Sequence, residues 1–575
     1  MGMADFDLVL RGGTVADGTG AALREGDVAV KDGRIAAVGG RLGPGAEEID
    51  ARGLLVTPGF VDVHTHYDGQ ATWDDRLTPS SNHGVTTAVM GNCGVGFAPC
   101  RPEDHDTLVR LMEGVEDIPG VVLTEGLAWN WESFPDFLRA LEARDHDIDF
   151  AAQLPHAALR VYVMGERGAR REPATAADIQ AMAQLTREAM AAGALGFSTS
   201  RTLNHQTADG DPTPTLTAAE DELMAIALAM KTEGKGVLQF VSDFQNPGEE
   251  MAMLRRLVEQ SRRPLSLSLA QTEGAPEGYR KLLGWLEGMA QAGLPVRGQV
   301  ANRPVGLMLG LDATLNPFVA HPSFQALQAL PLAEKVARLR DPALRATLLG
   351  EAPQADHPFM QAVLSNFEKM FVLGDPPDYE QDPSQSLGAR ARRLGVEPAA
   401  LAYDLMLEDE GRAMLYFPFL NYAQNDLDAV LEMMEHAQTI LGLGDGGAHL
   451  GTICDASFTT HMLTHWARDR RRGRKLPVET VVQWHSRDTA QAMGLFDRGV
   501  LKPGYRADLN IIDFDRLRLR PPRMQRDLPA GGQRLMQDVE GYRYAIVAGQ
   551  VTYRDGVATG ALPGRLVRGA QPAPG

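Results

Sequence analysis

Eight strand-like runs alternate with helical patterns between residues 60 and 444, and this rhythm limits the fold more than any other feature of the chain. The runs fall at 60–66, 85–91, 150–154, 194–198, 236–241, 265–271, 295–301 and 439–444, with helical stretches such as 175–192 and 217–233 between them. Alternating βα units build a parallel sheet, and eight of them predict an α/β fold, a (β/α)8 TIM-like barrel. A long gap, residues 302–438, separates the seventh run from the eighth. It holds helical segments and a loop around Asp375-Pro376-Pro377-Asp378, and is expected to form a mainly helical subdomain over the barrel mouth.

The two chain ends carry a different pattern. Residues 5–57 read as short strands between turns, among them Phe6-Asp7-Leu8-Val9-Leu10 and Asp27-Val28-Ala29-Val30, the latter followed by the turn Lys31-Asp32-Gly33-Arg34. That is too little chain for an independent sandwich. Partner strands appear after Gly504, in Leu509-Asn510-Ile511-Ile512 and in a hairpin around Ala548-Gly549. The reading is a small β-sandwich built from both chain ends. The expected domains are residues 1–57, the N-terminal part of the sandwich; 58–495, the barrel with a helical insertion around 302–438; and 496–575, the C-terminal part of the sandwich and a tail. The tail after Gly564 reads as loose.

The first barrel run starts at the turn Pro58-Gly59 and continues Phe60-Val61-Asp62-Val63-His64-Thr65-His66. Strand side chains alternate faces, so His64 and His66 project from the same face, one rung apart. Two imidazoles so placed can hold one metal ion in an open site; the plainer reading is two polar histidines at a strand end. Chemistry in such barrels sits at the carboxy-terminal ends of strands. The second run ends in Met90-Gly91-Asn92-Cys93-Gly94, where a thiolate can ligate a metal, although a lone cysteine also serves as a small buried hydrophobe. The eighth ends in Leu443-Gly444-Asp445-Gly446-Gly447-Ala448-His449. An aspartate between glycines there can bind a metal and take a proton from attacking water; the same residues also make an ordinary Asp-Gly turn.

Charge and cysteine usage narrow the class. A net charge of −19 argues against a nucleic-acid or anionic-membrane partner. Cys93, Cys100 and Cys454 are too few for a disulfide framework. The start, Met1-Gly2-Met3-Ala4-Asp5, does not read as a leader, and no apolar run reaches the ~18 residues of a spanning helix. A soluble cytoplasmic protein is expected, with a homo-oligomer left open. The basic run Arg468-Asp469-Arg470-Arg471-Arg472-Gly473-Arg474-Lys475 reads as a solvated helix end.

Several stretches, in order along the chain, resemble the amidohydrolase superfamily and, within it, the D-aminoacylase (N-acyl-D-amino-acid deacylase) group. They are the stretch from Pro58 to His66, Gly84-Val85-Thr86-Thr87 with Gly91-Asn92-Cys93-Gly94, Gly193-Ala194-Leu195-Gly196-Phe197-Ser198-Thr199, Gly444-Asp445-Gly446, and Asp497-Arg498-Gly499 through Pro503-Gly504 to Ala507-Asp508-Leu509. The resemblance implies a metal-dependent hydrolase with a barrel and a terminal sandwich. It matches His64, His66, Cys93 and Asp445 to metal ligands, and Asp445 also to the proton-transfer residue. The third run continues into Pro155-His156-Ala157-Ala158-Leu159-Arg160, similar to a Gly-His-x-x-Leu-Arg stretch of the family. Arg160 is there a candidate to hold a substrate carboxylate, or a structural ion pair. His156 and His449 are candidates to contact the scissile carbonyl or the attacking water, or are satisfied supporting histidines; His83 and His205 are weaker candidates.

The chain departs from the family at two points. The family's histidines at the ends of strands five and six are missing, and Gln239 and Gln271 are the nearest polar residues. The expected cofactor is therefore one divalent metal per chain, zinc in the first place, held by His64, His66 and Asp445 with Cys93. The expected function is hydrolysis of carbon–nitrogen bonds other than peptide bonds, in the manner of an N-acyl-(D-)amino-acid deacylase, with a metal-activated water, Asp445 as proton shuttle and a small-molecule amide substrate. Two alternatives stand beside it: a one-metal hydrolase of other linear, cyclic or aromatic amides, and an inactive amidohydrolase-like scaffold.

Overall fold

The computed structural model describes residues 4–354 and 358–575. Each of the eight expected runs overlaps a barrel strand: Phe60–Asp62, Val85–Met90, Asp149–Pro155, Gly196–Arg201, Val237–Ser242, Leu265–Ser268, Val296–Val300 and Thr439–Leu441. They pair in parallel and in chain order. The first two strands are buried at every residue, which is why such runs read as continuous apolar stretches rather than alternating ones. Just beyond the first and eighth strands, Thr65 bridges Gly446 in parallel. There His66 N–H donates to the Gly446 carbonyl at 2.8 Å and Asp445 N–H to the His64 carbonyl at 3.1 Å. The barrel thus closes at its carboxy-terminal rim through the residues the sequence marks for chemistry.

Both chain ends enter one nine-stranded sheet. Its junction is the antiparallel pairing of Leu55–Pro58 with Leu509–Ile512, Thr57 facing Asn510. The hairpin of Tyr542–Val547 and Gln550–Arg554 turns at Ala548-Gly549, whose φ values are 48° and 78°. Two consecutive left-handed residues give the turn twist that a two-residue hairpin needs. The Asp497-Arg498-Gly499 stretch fastens this sheet to the barrel. Buried Arg498 donates to Asp149 Oδ2 at 2.8 Å, where the third barrel strand begins, and to Thr87 Oγ1 at 2.9 Å. Arg506 takes the other Asp149 oxygen at 2.7 Å.

The insertion contains the expected helices, among them Leu332–Leu339, Pro342–Gly350, Leu387–Leu394 and Pro398–Met406. It also contains a three-stranded antiparallel sheet of Val305–Gly310, Met414–Leu420 and Phe371–Val372, which the sequence reading lacks. The unit has its own apolar core, including Leu309, Phe318, Leu348, Met370 and Tyr403. It sits on the carboxy-terminal face. Asn421 N–H donates to the Gln271 carbonyl at 2.9 Å while its Oδ1 accepts from Gln271 N–H at 2.8 Å, and Met308 N–H reaches the Thr452 carbonyl at 2.7 Å.

Two expectations need correction. The basic run at 468–475 is only in part a solvated helix end: it spans the end of the helix Met462–Asp469 and is mostly exposed, but Arg470 within it is buried, donating through Nε and Nη2 to Glu380 of the insertion at 3.0 and 2.9 Å and to Asp428 at 2.8 Å. A predominantly basic run in sequence concealed a buried joint. Nor is the tail loose. Val567 N–H donates to the Phe150 carbonyl at 2.7 Å, Gly569 N–H to Gly193 at 2.9 Å and Gln571 N–H to Gly494 at 2.9 Å, with Leu566 and Val567 buried. Among the described residues no helix is long and apolar enough to cross a membrane.

Candidate metal centre

The carboxy-terminal rim gathers four side chains from three places in the chain. His64 and His66 leave the first strand on one face, with ring centroids 5.4 Å apart. His64 Nε2 lies 3.3 Å from Cys93 Sγ and 3.5 Å from Asp445 Oδ1; His66 Nε2 lies 3.7 Å from the same Asp445 oxygen. One donor atom from each of His64, His66 and Cys93 lies within 4.8 Å of the others. Nitrogen, sulfur and carboxylate donors at such separations suit a divalent transition ion.

Backbone turns aim these groups. Gly91, at φ 78°, lets the chain leave the second strand tightly, and a Cβ there would strike the Gln153 carbonyl. Cys93 follows at φ 55°, a left-handed position uncommon for a side-chain-bearing residue, and its N–H is held by Gln239 Oε1 at 3.1 Å. Asp445 has φ 46°, and a Cβ on its neighbour Gly446 would strike Ser80 and Tyr67. Functional rims are where such backbone conformations collect. The His64 ring is set by Gln299, whose Oε1 is 2.7 Å from Nδ1 while its amide nitrogen donates to Ser266 Oγ at 2.9 Å. With Nδ1 protonated toward Gln299, Nε2 carries the free lone pair.

The electrostatics fit a cation. Burial lowers the pKa of both His64 and His66, favouring the neutral imidazoles a metal needs. Burial, then the charges of Glu116, Asp445 and Asp68, pushes the Cys93 thiol well up, and a cation would reverse that balance. Burial pushes Asp62 up to about 8 and Asp68 up to about 7. Burial also opposes ionisation of Asp445, but the His66, His64 and His449 contacts outweigh it and hold this carboxyl below the usual range. Nε2 of His66 and Oδ2 of Asp62 are buried without a hydrogen-bond partner. Unpaired polar atoms beside a ready donor set are what a bound ion would satisfy.

The other sequence candidates divide. His449 sits at the mouth, 3.6 Å from Glu116 Oε2, and its side chain keeps 22% exposure. Asp445 keeps 16%, against 1% and 0% for His64 and His66, so Asp445 and His449 form the edge a substrate can reach. A cavity opens beside Asp445, lined also by Cys454, Asp455, Ser457, Leu535 and Gln537. His156 and Arg160 lie elsewhere, in a buried cluster. His156 contacts Thr199 Oγ1 at 2.8 Å and Glu222 Oε1 at 2.7 Å, and Arg160 pairs with Glu222 and donates to the Glu172 carbonyl at 2.8 Å. The structure therefore places them as a structural ion pair with its supporting histidine, not at the substrate edge. His83 is likewise engaged, by Thr460 and the Gln537 carbonyl. His205 hydrogen-bonds Ser200 Oγ at 2.8 Å; burial, then the nearby His449 and His66, pushes its pKa to about 3.

Two residues escaped the sequence reading. Glu116, at the end of the helix His105–Glu116, is buried with Oε1 3.3 Å from His66 Nδ1. Gln299 is the second. A glutamate ending a helix and a glutamine inside a strand carry no motif, and only the barrel interior reveals them. Gln239 and Gln271 have other tasks: the first holds the Cys93 backbone, and the second holds the Ala423 N–H and the insertion joint.

Comparison with known proteins follows the same lines. The profile of the amidohydrolase family matches residues 47–553. A D-aminoacylase of Alcaligenes xylosoxydans xylosoxydans is 27% identical over 514 residues, covering 88% of this chain and 88% of that protein. An N-acyl-D-aspartate deacylase of the same organism is 38% identical over 197 residues, 34% of this chain and 37% of that protein. A solved N-acyl-D-glutamate deacylase from Bordetella bronchiseptica, complexed with zinc and a phosphonate inhibitor, shares the fold, with TM-score 0.63 and 23% identity over 98% of this chain and 99% of that one.

Proposed function

The chain belongs to the amidohydrolase family and is a hydrolase of carbon–nitrogen bonds other than peptide bonds, and from that premise we propose that it is a one-metal deacylase of the N-acyl-D-amino-acid type. The observation that carries the reading is the cluster of His64, His66 and Cys93, with one donor atom of each within 4.8 Å of the others, and Asp445 Oδ1 3.5 and 3.7 Å from the Nε2 atoms of His64 and His66. These four would hold the divalent ion, with zinc suited to mixed imidazole, thiolate and carboxylate donors. Such an ion supplies Lewis acidity to an amide carbonyl and acidity to a water. One ion per chain suffices for the donors, because Gln239 and Gln271 are engaged elsewhere and amides bind zinc weakly.

Asp445 turns Oδ1 toward the two imidazoles, which leaves Oδ2 to carry a proton. As the water oxygen bonds to the amide carbon, Oδ2 takes the water's proton. As the carbon–nitrogen bond breaks, the same oxygen hands that proton to the departing nitrogen. His449, at the reachable edge, is placed to contact the scissile carbonyl. The relatives' names support N-acyl-D-amino acids as the substrate class.

One observation favours a second reading, a one-metal hydrolase of neutral linear, cyclic or aromatic amides. Arg160, the sequence's candidate for a substrate carboxylate, is already paired with Glu222. A panel of N-acyl-D- and N-acyl-L-amino acids, neutral anilides and cyclic imides separates the two. Turnover confined to acyl-D-amino acids supports the first reading; turnover confined to neutral amides replaces it with the second.

A further inference from the structure

Glu116 is buried in a place that disfavours a carboxylate. It ends the helix His105–Glu116, where the backbone dipole repels negative charge, and its side chain is 1% exposed. Its ion-pair contacts among the described residues are two imidazoles rather than a lysine or arginine. Oε1 lies 3.3 Å from His66 Nδ1 and Oε2 lies 3.6 Å from His449 Nε2. The Glu116 carbonyl also accepts the His449 N–H, and Asp117 Oδ2 accepts the Gly451 N–H at 3.0 Å. The end of this helix is therefore a strut between the first strand's histidine and the loop that follows the eighth strand. A residue needed only for packing would not be a carboxylate here, since an unpaired buried charge is costly.

We propose that Glu116 is a positioning residue for the metal centre: its Oε1 and His66 Nδ1, 3.3 Å apart and each buried without another partner, close into a hydrogen bond that turns Nε2 toward His64 and Asp445. Gln299 does the same for His64 through the 2.7 Å contact with Nδ1. The two histidines are thus held in one tautomer by two different groups, an amide and a carboxyl. Such partners fix ring orientation and tautomer, and their loss weakens metal binding by about 10–100-fold. The second oxygen of Glu116 fixes His449 at the mouth, so one carboxylate aligns a ligand and a substrate-side group. This inference rests on the metal reading above.

The test uses the full chain, its Glu116→Gln variant and Glu116→Ala. Zn2+ affinity is measured by competition with a chromophoric chelator, and the Co2+-loaded visible spectrum is recorded. Thermal melting of the metal-free proteins reports the fold. Glu116→Gln should bind Zn2+ about 10–100-fold more weakly and shift the Co2+ bands, while the metal-free variant melts no lower than the parent because glutamine fills the same buried space without an ionisable group. A purely structural role predicts the reverse pattern, lower melting with unchanged affinity. Zn2+ affinity within twofold of the parent in Glu116→Gln overturns the proposal. If the parent itself binds no divalent ion, the metal reading falls first and takes this one with it.

Discussion

Asp445 combines two properties that its buried neighbours lack: its carboxyl is held in the ionised form, and its side chain is partly reachable from outside. Asp62, Asp68 and Glu116 are all pushed toward the protonated form, by burial first. Proton transfer by a placed side chain is worth about 10²–10⁴ in rate. Asp445→Asn is therefore expected to lose about that factor in kcat while still binding the ion, as steady-state kinetics on the metal-loaded variant will show. His64→Ala should lose both the ion and turnover, read by metal analysis of the same preparation. Arg160 provides the contrast. Removing one partner of a buried ion pair costs about 3–5 kcal/mol, so Arg160→Met should lower stability in denaturant titration by that order. Its KM for an acyl-amino acid should stay within twofold; a large rise in KM alone would return Arg160 to the substrate site.

At the scale of elements, the joint between the insertion and the barrel is ionic and buried. Burial pushes the Glu380 carboxyl up, but hydrogen bonds from His465 and Arg470 outweigh it and bring it from the ordinary 4.5 to about 2. A pKa lowered in the folded state contributes stability above pH 4.5, and that contribution is lost as the pH falls from 4.5 toward 2. Acid unfolding followed by tryptophan fluorescence should show this component, and Glu380→Gln should lack it. This joint also shows where reading from sequence ends. The eight strands and the rim residues His64, His66, Cys93 and Asp445 were readable because a strand end has a fixed place in a barrel. The insertion's small sheet, the buried role of Arg470 and the strut at Glu116 were not, because each depends on a partner far along the chain. Arg160 shows the same limit from the other side: its motif was visible, but the buried Glu222 that occupies it was not.

For the whole molecule, the chain ends act as fasteners around a barrel whose chemistry lies at the opposite rim from their ion pairs. Asp149, where the third strand begins, is gripped by Arg498 and Arg506, and residues 564–571 run along the strands from His146 to Gly494. Removing residues 562–575 exposes the pocket of Leu566 and Val567, worth about 1.5–3 kcal/mol for each fully buried side chain. The melting temperature of the shortened chain should fall accordingly, with the Zn2+ affinity of the surviving folded fraction unchanged. The measurement that bears most directly on the account is a titration of the metal-stripped chain with Zn2+, following acyl-amide hydrolysis and bound metal together. Activity should be absent at the start, rise in step with bound metal and level off at one equivalent per chain. Full activity before any metal is added would contradict the account, and activity that needs two tightly bound ions per chain would contradict its one-metal centre.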